Sequence, residues 1–446
     1  MNPDVLKDLV DSLDQSNLLQ GIQTLSEVER EAFYDQLIKY GKPLLEKQRE
    51  SLKEKTPLSL QGAESPPYKK GSASLHLLGM KAIENGKVAC LILAGGSGTR
   101  LGINGPKGKV GVSPILHKSL FQIQCEKIKV LSEQISRPLQ VVIIASCQNL
   151  RETVSYFEEK KYFGLDPSQV HILPQENLPF LSEEGDWELS CPGMLADGPD
   201  GNGKALLLLK NSGLLTRFQA QGIEYINVIL VDNPLADPFD ADLIGIQEEQ
   251  NAEIALKVVE RQSAEESVGI VARFGGQTRV VEYSDLEDED RCEKDDQNKL
   301  RLPLANIGIM SFSLSFIERC ALEMEQMPWH LAYKDAHIQT SLKKMWKFEY
   351  FIFDLLPLAS SVSLIKGCRE DCYAPLKYAA GEKSIATVQN ALFKKYQKIY
   401  SDLSGLKAPE RVFELDQMFW YPTDQMRTYW KNKTLPEKEI IEPMSL

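Results

Sequence analysis

The sequence predicts an α/β fold built on a mixed, mostly parallel sheet, with an N-terminal helical extension and a short, mostly helical C-terminal region. Three observations predict it. Apolar runs of strand type recur between residues 88 and 312, amphipathic stretches such as 119–131 and 150–159 lie between several of them, and both flanks carry helical periodicity. Strand, helix, strand in that order suits a sheet covered on both faces. With 446 residues, 43% hydrophobic and 26% charged, the chain can bury a sizeable core.

The elements follow in order. Val5, Leu6, Leu9 and Leu13 recur at helical spacing, as do Leu25, Val28, Phe33 and Leu37, followed by Leu44 and Leu45. Residues 56–74 carry Pro57, Pro66, Pro67 and several Gly and Ser, and read as a linker that completes an extension over 1–84. The main domain, 85–380, should place strands at 88–93, 139–145, 170–173, 225–231, 254–259, 268–271, 279–283 and 305–312. The acid-rich 285–296 reads as a solvated loop. Residues 381–446 should hold a helix at 387–400 and end in polar, Pro-containing sequence. No internal repeat is visible.

Charge narrows the function. Lys and Arg number 51 against 63 Asp and Glu, a net −12, which argues against a nucleic-acid or polybasic membrane partner. Eight cysteines without a CxxC read as reduced, mostly buried thiols. The acidic N-terminus has no apolar signal core and no run approaches the length of a membrane span, so a cytoplasmic location is expected. Yet residues 85–125 pass without one Asp or Glu, where simple proportion gives about six. Lys87, Arg100, Lys107, Lys109 and Lys118 fall inside this window. It reads as a seat for an anion.

The strongest local signal lies there. VACLILAGGSGTRLG (88–102) runs from a buried strand into a glycine-rich turn, and GPKG (105–108) follows. Glycines at a strand's carboxyl end let backbone N–H groups approach phosphate oxygens, and Arg100 and Lys107 add cations. The dinucleotide pattern GxGxxG fails, because Leu101 follows Gly96 and Gly98 at the third position. A P-loop fails too. Downstream, GPDGNGK (198–204) has Ala205 where a magnesium-binding hydroxyl is required.

LAGGSGTRLG with PKG resembles the signature of nucleotide-sugar pyrophosphorylases, in particular the eukaryotic-type UDP-N-acetylhexosamine (UDP-N-acetylglucosamine) pyrophosphorylases. The resemblance continues in order through HKSLFQIQCEKI, PQENLP, GPDGNG, VDNPL, KVVE, VGIV, VVEYSDL, ANI, KFEYFIFDLL and REDCYAPLK, roughly residues 85–380. It implies a Rossmann-like sheet of the nucleotide-diphospho-sugar transferase type. It also implies a uridylyltransferase that converts UTP and a hexose 1-phosphate to UDP-sugar and pyrophosphate. N-acetylglucosamine 1-phosphate is the expected sugar and glucose 1-phosphate the alternative. By resemblance Leu93, Ala94, Gly95 and Gly96 line the nucleotide, while Arg100 and Lys107 grip its outer phosphates. Gln175 reads uracil, and Gly201 and Asn202 meet nucleoside and sugar. Asp232 holds Mg²⁺, Glu282 and Asn306 hold sugar hydroxyls, and Lys347 and Lys377 neutralise the phosphates. A monomer or weak homodimer is expected.

The chain departs from the family pattern at two places. Lys204-Ala205-Leu206 follows GPDGNG in place of Gly and an aromatic-containing stretch, and Lys109-Val110-Gly111-Val112 follows PKG in place of a Tyr-Asp-containing run. A C-terminal β-rich region is not evident after about Ser401. A catalytically silent nucleotide-sugar binding protein is the other class of reading, and the presence of Lys107, Asp232 and Lys377 disfavours it.

Overall fold

The apolar run at 88–93 forms the strand Val88–Leu93, all six residues buried. The computed structural model describes residues 3–53, 60–96, 98–286 and 288–444. They fall into two units, each discontinuous in sequence. One comprises residues 3–53, Gln175–Lys204 and Gln326–Ile352; the other holds residues 60–174, Ala205–Glu325 and residues 353–444.

The larger unit is built on a mixed sheet. Across it run Lys69–Lys70, Val362–Lys366, Ile254–Glu260, Leu304–Ser313, Tyr225–Leu230, Val88–Leu93, Val141–Ser146 and Val170–Gln175. Leu304–Ser313 is antiparallel to both neighbours, Ile254–Glu260 and Tyr225–Leu230. Val362–Lys366 pairs parallel with both Lys69–Lys70 and Ile254–Glu260, and Val88–Leu93 pairs parallel with both Tyr225–Leu230 and Val141–Ser146. A hairpin of Ile270–Phe274 and Gln277–Val281 joins at Ile270 opposite Ala305. The central strands are apolar on both sides because helices cover both faces. The helix Leu120–Gln134 buries Phe121 edge-on against Phe157, ring centres 5.1 Å apart. Helices Ala73–Glu84 and Ala241–Gln250 approach through Gly79 and Gly245, where an added Cβ would lie 1.8 and 1.9 Å from backbone oxygens of the other helix.

The smaller unit assembles around Trp187, which is fully buried. Its indole N–H donates to Gln48 Oε1 (2.7 Å), and Gln48 Nε2 donates to the Pro179 carbonyl (2.8 Å). Gln15 and Asn17 bond the Trp187 backbone. Gln48 lies on the helix Glu27–Ser51, started by a Ser26–Glu29 capping box and kinked at Gly41. The antiparallel pair His330–Ile338 and Ser341–Glu349 completes the unit, with Leu181 and Trp346 exchanging backbone hydrogen bonds.

Several expectations change. In the expected linker, Lys69–Lys70 joins the sheet beside Val362–Lys366, Glu64 exchanges backbone hydrogen bonds with Arg273, and a helix begins at Ala73; residues 56–59 lie outside the described residues. The acid-rich 285–296 is not wholly loop: Asp288–Cys292 is a helical turn, and Leu286 anchors the stretch against Leu60, Ala63 and Ile270. Cys90, Cys125, Cys320 and Cys372 are buried free thiols, but Cys147, Cys191, Cys292 and Cys368 are exposed, so the thiols are not mostly buried. Among the described residues no helix is long and apolar enough to cross a membrane. After the helix Ile385–Ser404, the extended structure in the described tail is Glu414–Leu415 paired with Ile440–Ile441.

Candidate functional site

Strand Val88–Leu93 delivers the glycine-rich loop, and strand Tyr225–Leu230 beside it delivers Asp232. Leu93 lies opposite Leu230, and the Val231 N–H still donates to the Leu93 carbonyl (3.1 Å). The Ala94 N–H bonds the Ile144 carbonyl (2.8 Å), so the loop leaves the sheet pinned on both sides. It then closes on itself, Gly98 donating to Gly105 (3.1 Å) and Ile103 to Gly98 (3.2 Å). Gly95 is half-buried and Gly96 exposed. Lys107 returns alongside: its N–H lies 3.4 Å from the Gly96 carbonyl.

Two lysines converge on one carboxylate oxygen. Lys377 Nζ is 2.6 Å from Asp232 Oδ2 and Lys107 Nζ is 3.4 Å from the same atom. Lys107 also reaches the Leu376 carbonyl at 3.4 Å. Asp232 Oδ1 is buried and has no hydrogen-bond partner among the described residues. Burial alone would raise the Asp232 carboxyl, but the charges of Lys377 and Lys107 outweigh it and hold the group below the usual carboxylate value. Burial pushes the Lys107 ammonium down; Asp232 opposes this, while Lys377 and Arg100 add to it. Arg100 is exposed and forms no hydrogen bond or ion pair among the described residues.

The acid-free window is less uniform than its charge suggests. Lys87 pairs with Glu224 and Glu248, Lys109 with Glu152, and Lys118 with Glu126, all acids from outside the window. These three cations brace the fold. Arg100 and Lys107 remain for the loop.

Asn233 has a role that no sequence signal assigned. It is buried, and its Nδ2 donates to the Cys372 carbonyl (2.8 Å) while its Oδ1 accepts from the Ala374 N–H (3.0 Å). The Leu376 N–H donates to the Asp232 carbonyl (2.8 Å), and the Lys377 N–H to the Lys383 carbonyl (2.7 Å). The Asn233 and Leu376 bonds tie the segment that carries Lys377 to the strand end that carries Asp232, and the Lys377–Lys383 bond closes that segment on itself. The hint in the sequence was a polar Asn between Asp and Pro in VDNPL.

Glu282 and Asn306 meet at Gly269. The Asn306 N–H donates to the Gly269 carbonyl (2.8 Å), and a Cβ on Gly269 would lie 3.1 Å from Glu282 Oε1 and 3.7 Å from Asn306 Cβ. Asn306 Oδ1 accepts from the Gly308 N–H (3.1 Å).

Gln175, Gly201, Asn202 and Lys347 belong to the smaller unit. Gln175 Nε2 donates to the Gly201 carbonyl and to Asp200 Oδ1 (3.3 Å). Both acceptors sit in a rigid turn: Asp200 N–H bonds Glu176, Tyr350 N–H bonds the Asp200 carbonyl (2.7 Å), and Gly203 N–H bonds Tyr350 (2.9 Å). Gly201 is obligatory there, at φ +87° with an added Cβ only 2.2 Å from the Tyr350 carbonyl oxygen. Burial pushes the Asp200 carboxyl up to about 6. Asn202 Oδ1 accepts from the Ile352 N–H (2.9 Å), Lys204 stacks over the Tyr350 ring at 4.3 Å, and Lys347 pairs with Glu349 at 3.1 Å.

Among the described residues no cluster of three or more His, Cys, Asp or Glu could hold a metal. Asp232 Oδ1 is the open carboxylate oxygen at the strand end. A hard cation that takes one carboxylate and completes its shell with phosphate and water oxygens suits such a donor, and Mg²⁺ binds in that way.

Residues 41–397 match the family described as UTP--glucose-1-phosphate uridylyltransferase. The chain belongs to that family. UDP-N-acetylglucosamine diphosphorylase 1 of Arabidopsis thaliana is 36% identical over 319 residues, covering 68% of this chain and 63% of that protein. A probable UDP-N-acetylglucosamine pyrophosphorylase of Dictyostelium discoideum is 34% identical over 327 residues, covering 68% and 67%. The matched part thus spans just under two thirds of the Arabidopsis protein. The crystal structure of the UDP-N-acetylglucosamine pyrophosphorylase of Trypanosoma brucei superposes with a TM-score of 0.78 at 28% identity, covering 90% of this chain and 86% of that one.

Proposed function

We propose that the protein is a uridylyltransferase, a UDP-sugar pyrophosphorylase that converts UTP and a hexose 1-phosphate to UDP-sugar and pyrophosphate. N-acetylglucosamine 1-phosphate is the proposed sugar. The observation that carries this reading is Asp232, held by two lysines at the carboxyl end of a parallel strand beside the glycine-loop strand. Ligands of open α/β sheets gather at such strand ends, and the larger unit is proposed as a Rossmann-like nucleotidyltransferase domain.

The chemistry needs position and charge, not a covalent relay. A sugar phosphate oxygen attacks the α-phosphorus in line and pyrophosphate leaves. The backbone of Leu93, Ala94, Gly95 and Gly96 is proposed to line the nucleotide, with Arg100 and Lys107 on the outer phosphates. Lys377 would leave Asp232 for the phosphate oxygens as charge develops, a preorganised donor of the kind that stabilises such transition states. Lys347 is proposed as a further phosphate cation. Mg²⁺ bound at Asp232 would supply charge neutralisation and draw electron density from the reacting phosphate. Gln175 and Gly201 are proposed to meet the uracil. Asn202, its oxygen engaged by Ile352, would offer its Nδ2 to the ligand, and Glu282 and Asn306 would hold sugar hydroxyls.

The family description names glucose 1-phosphate, whereas the relatives described above are named for N-acetylglucosamine. Pyrophosphate release from UTP with Mg²⁺ and a panel of sugar 1-phosphates tests both points. No release with any sugar refutes the activity. Release with glucose 1-phosphate alone refutes the sugar.

A further inference from the structure

We propose that Asp200, together with the Gly201 carbonyl, fixes the orientation of the Gln175 amide and so makes the chain select a pyrimidine that carries N–H at ring position 3. The inference rests on the UTP-dependent activity proposed above and names the residue behind its choice of base.

An amide side chain is ambiguous: turned over, it exchanges a donor for an acceptor. Here both Nε2 protons face acceptors, Gly201 O and Asp200 Oδ1. Turned the other way, Gln175 would set its oxygen against a carbonyl and a carboxylate, two repulsive contacts in place of two hydrogen bonds. Neither acceptor can step aside, because Asp200 is 2% exposed and backbone bonds to Glu176 and Tyr350 hold it. Its carboxyl, although raised by burial, is ionised at neutral pH and accepts. Gln175 Oε1 therefore points away from the pair as a fixed acceptor. Uracil has one ring N–H on its pairing edge, at N3. Cytosine in the same pose sets the N3 lone pair against Oε1. Thymine keeps the N–H and passes this test.

The experiment compares kcat/KM for UTP and CTP, with Mg²⁺ and the preferred sugar 1-phosphate, in the wild type, Asp200→Asn and Asp200→Leu. Asn keeps an oxygen where the carboxylate accepts, so the preference for UTP should survive. Leu removes that acceptor, and the preference should fall by about tenfold or more, mainly through KM for UTP. An unchanged preference in Asp200→Leu, or an equal loss in Asp200→Asn, overturns the proposal. Should Asp200→Leu not fold, Gln175→Glu serves: it sets a carboxylate oxygen against Asp200 and Gly201, and KM for UTP should rise about tenfold. An unchanged KM there overturns the proposal as well. A wild type inactive with UTP refutes the activity itself. A wild type that prefers UTP while both Asp200 variants match it refutes the role of Asp200 alone.

Discussion

Lys377 Nζ lies 2.6 Å from Asp232 Oδ2, and the oxygen across that carboxyl, Oδ1, is buried without a partner among the described residues. A lysine held this way is stored in place for an incoming anion. Lys377→Met is expected to lower kcat by about 10²–10³, the effect of removing one preorganised donor to developing charge, with a smaller change in KM for UTP. It should also cost about 1.5–3 kcal/mol at neutral pH, as for a hydrogen bond to a charged group. Asp232 is depressed in the folded state, so its stabilisation is present above 3.8 and lost as pH falls through the lower folded value. Without Lys377 the folded value rises, and acid unfolding should begin at higher pH. Steady-state kinetics and urea unfolding across pH 2–7 check both parts.

The unpartnered oxygen leads to a second expectation. Asp232→Asn keeps the shape but removes the charge a divalent cation needs. The Mg²⁺ concentration for half-maximal turnover should rise by at least about tenfold, and Mn²⁺ binding in the presence of UTP, followed by electron paramagnetic resonance, should weaken alike. UTP binding without metal should hold or tighten, since the phosphates then meet two lysines with no competing carboxylate. An unchanged Mg²⁺ requirement would show that the cation sits elsewhere.

What was legible in the sequence is what acts locally. The glycine loop sits at a strand end, where strand-to-turn patterning locates it, whereas Asp232, also at a strand end, stands out only through the family resemblance of VDNPL. The central strands are apolar on both faces and stand out by local pattern as well. The hairpin of His330–Ile338 and Ser341–Glu349 escaped notice because His and Lys interrupt its alternation. Residues that act by reaching distant backbone escaped as well. Asn233 bonds residues 139 and 141 positions away, and Gln48 bonds Trp187 across 139. The acid-free window located the loop for a partly mistaken reason, because Lys87 and Lys109 have acids brought to them from afar and Lys118 pairs with Glu126, just past the window's end.

Asp200 should make stability fall with rising pH. Its carboxyl stands at about 6 in the fold against an ordinary 3.8, so the folded state holds a proton that the unfolded chain releases. The cost of ionising it is absent below 3.8 and complete above about 6, where it reaches about 3 kcal/mol at roughly 1.4 kcal/mol per pH unit. Asp200→Asn removes the charge, so it should be progressively more stable than the wild type between pH 4 and pH 7. Chemical unfolding of both chains at those two pH values reads the difference. A constant gap between them would contradict the buried-charge account.

Asn233 touches no proposed substrate atom, yet it should govern turnover through Lys377. Its two bonds, to the Cys372 carbonyl and the Ala374 N–H, fix the backbone five and three residues before Lys377. Asn233→Leu leaves both partners unpaired in a buried place, at about 1–3 kcal/mol each, so the unfolding midpoint should drop. The loss of position matters more for rate. An ammonium displaced by about an ångström from its place can cost on the order of a hundredfold, so kcat should fall well beyond any change in KM for UTP. Asn233→Asp separates the two effects: it keeps the acceptor for Ala374 but sets a carboxylate against the Cys372 carbonyl, and kcat should fall there too. If both variants keep wild-type kcat, the segment holds Lys377 without Asn233, through the Leu376–Asp232 and Lys377–Lys383 backbone bonds alone.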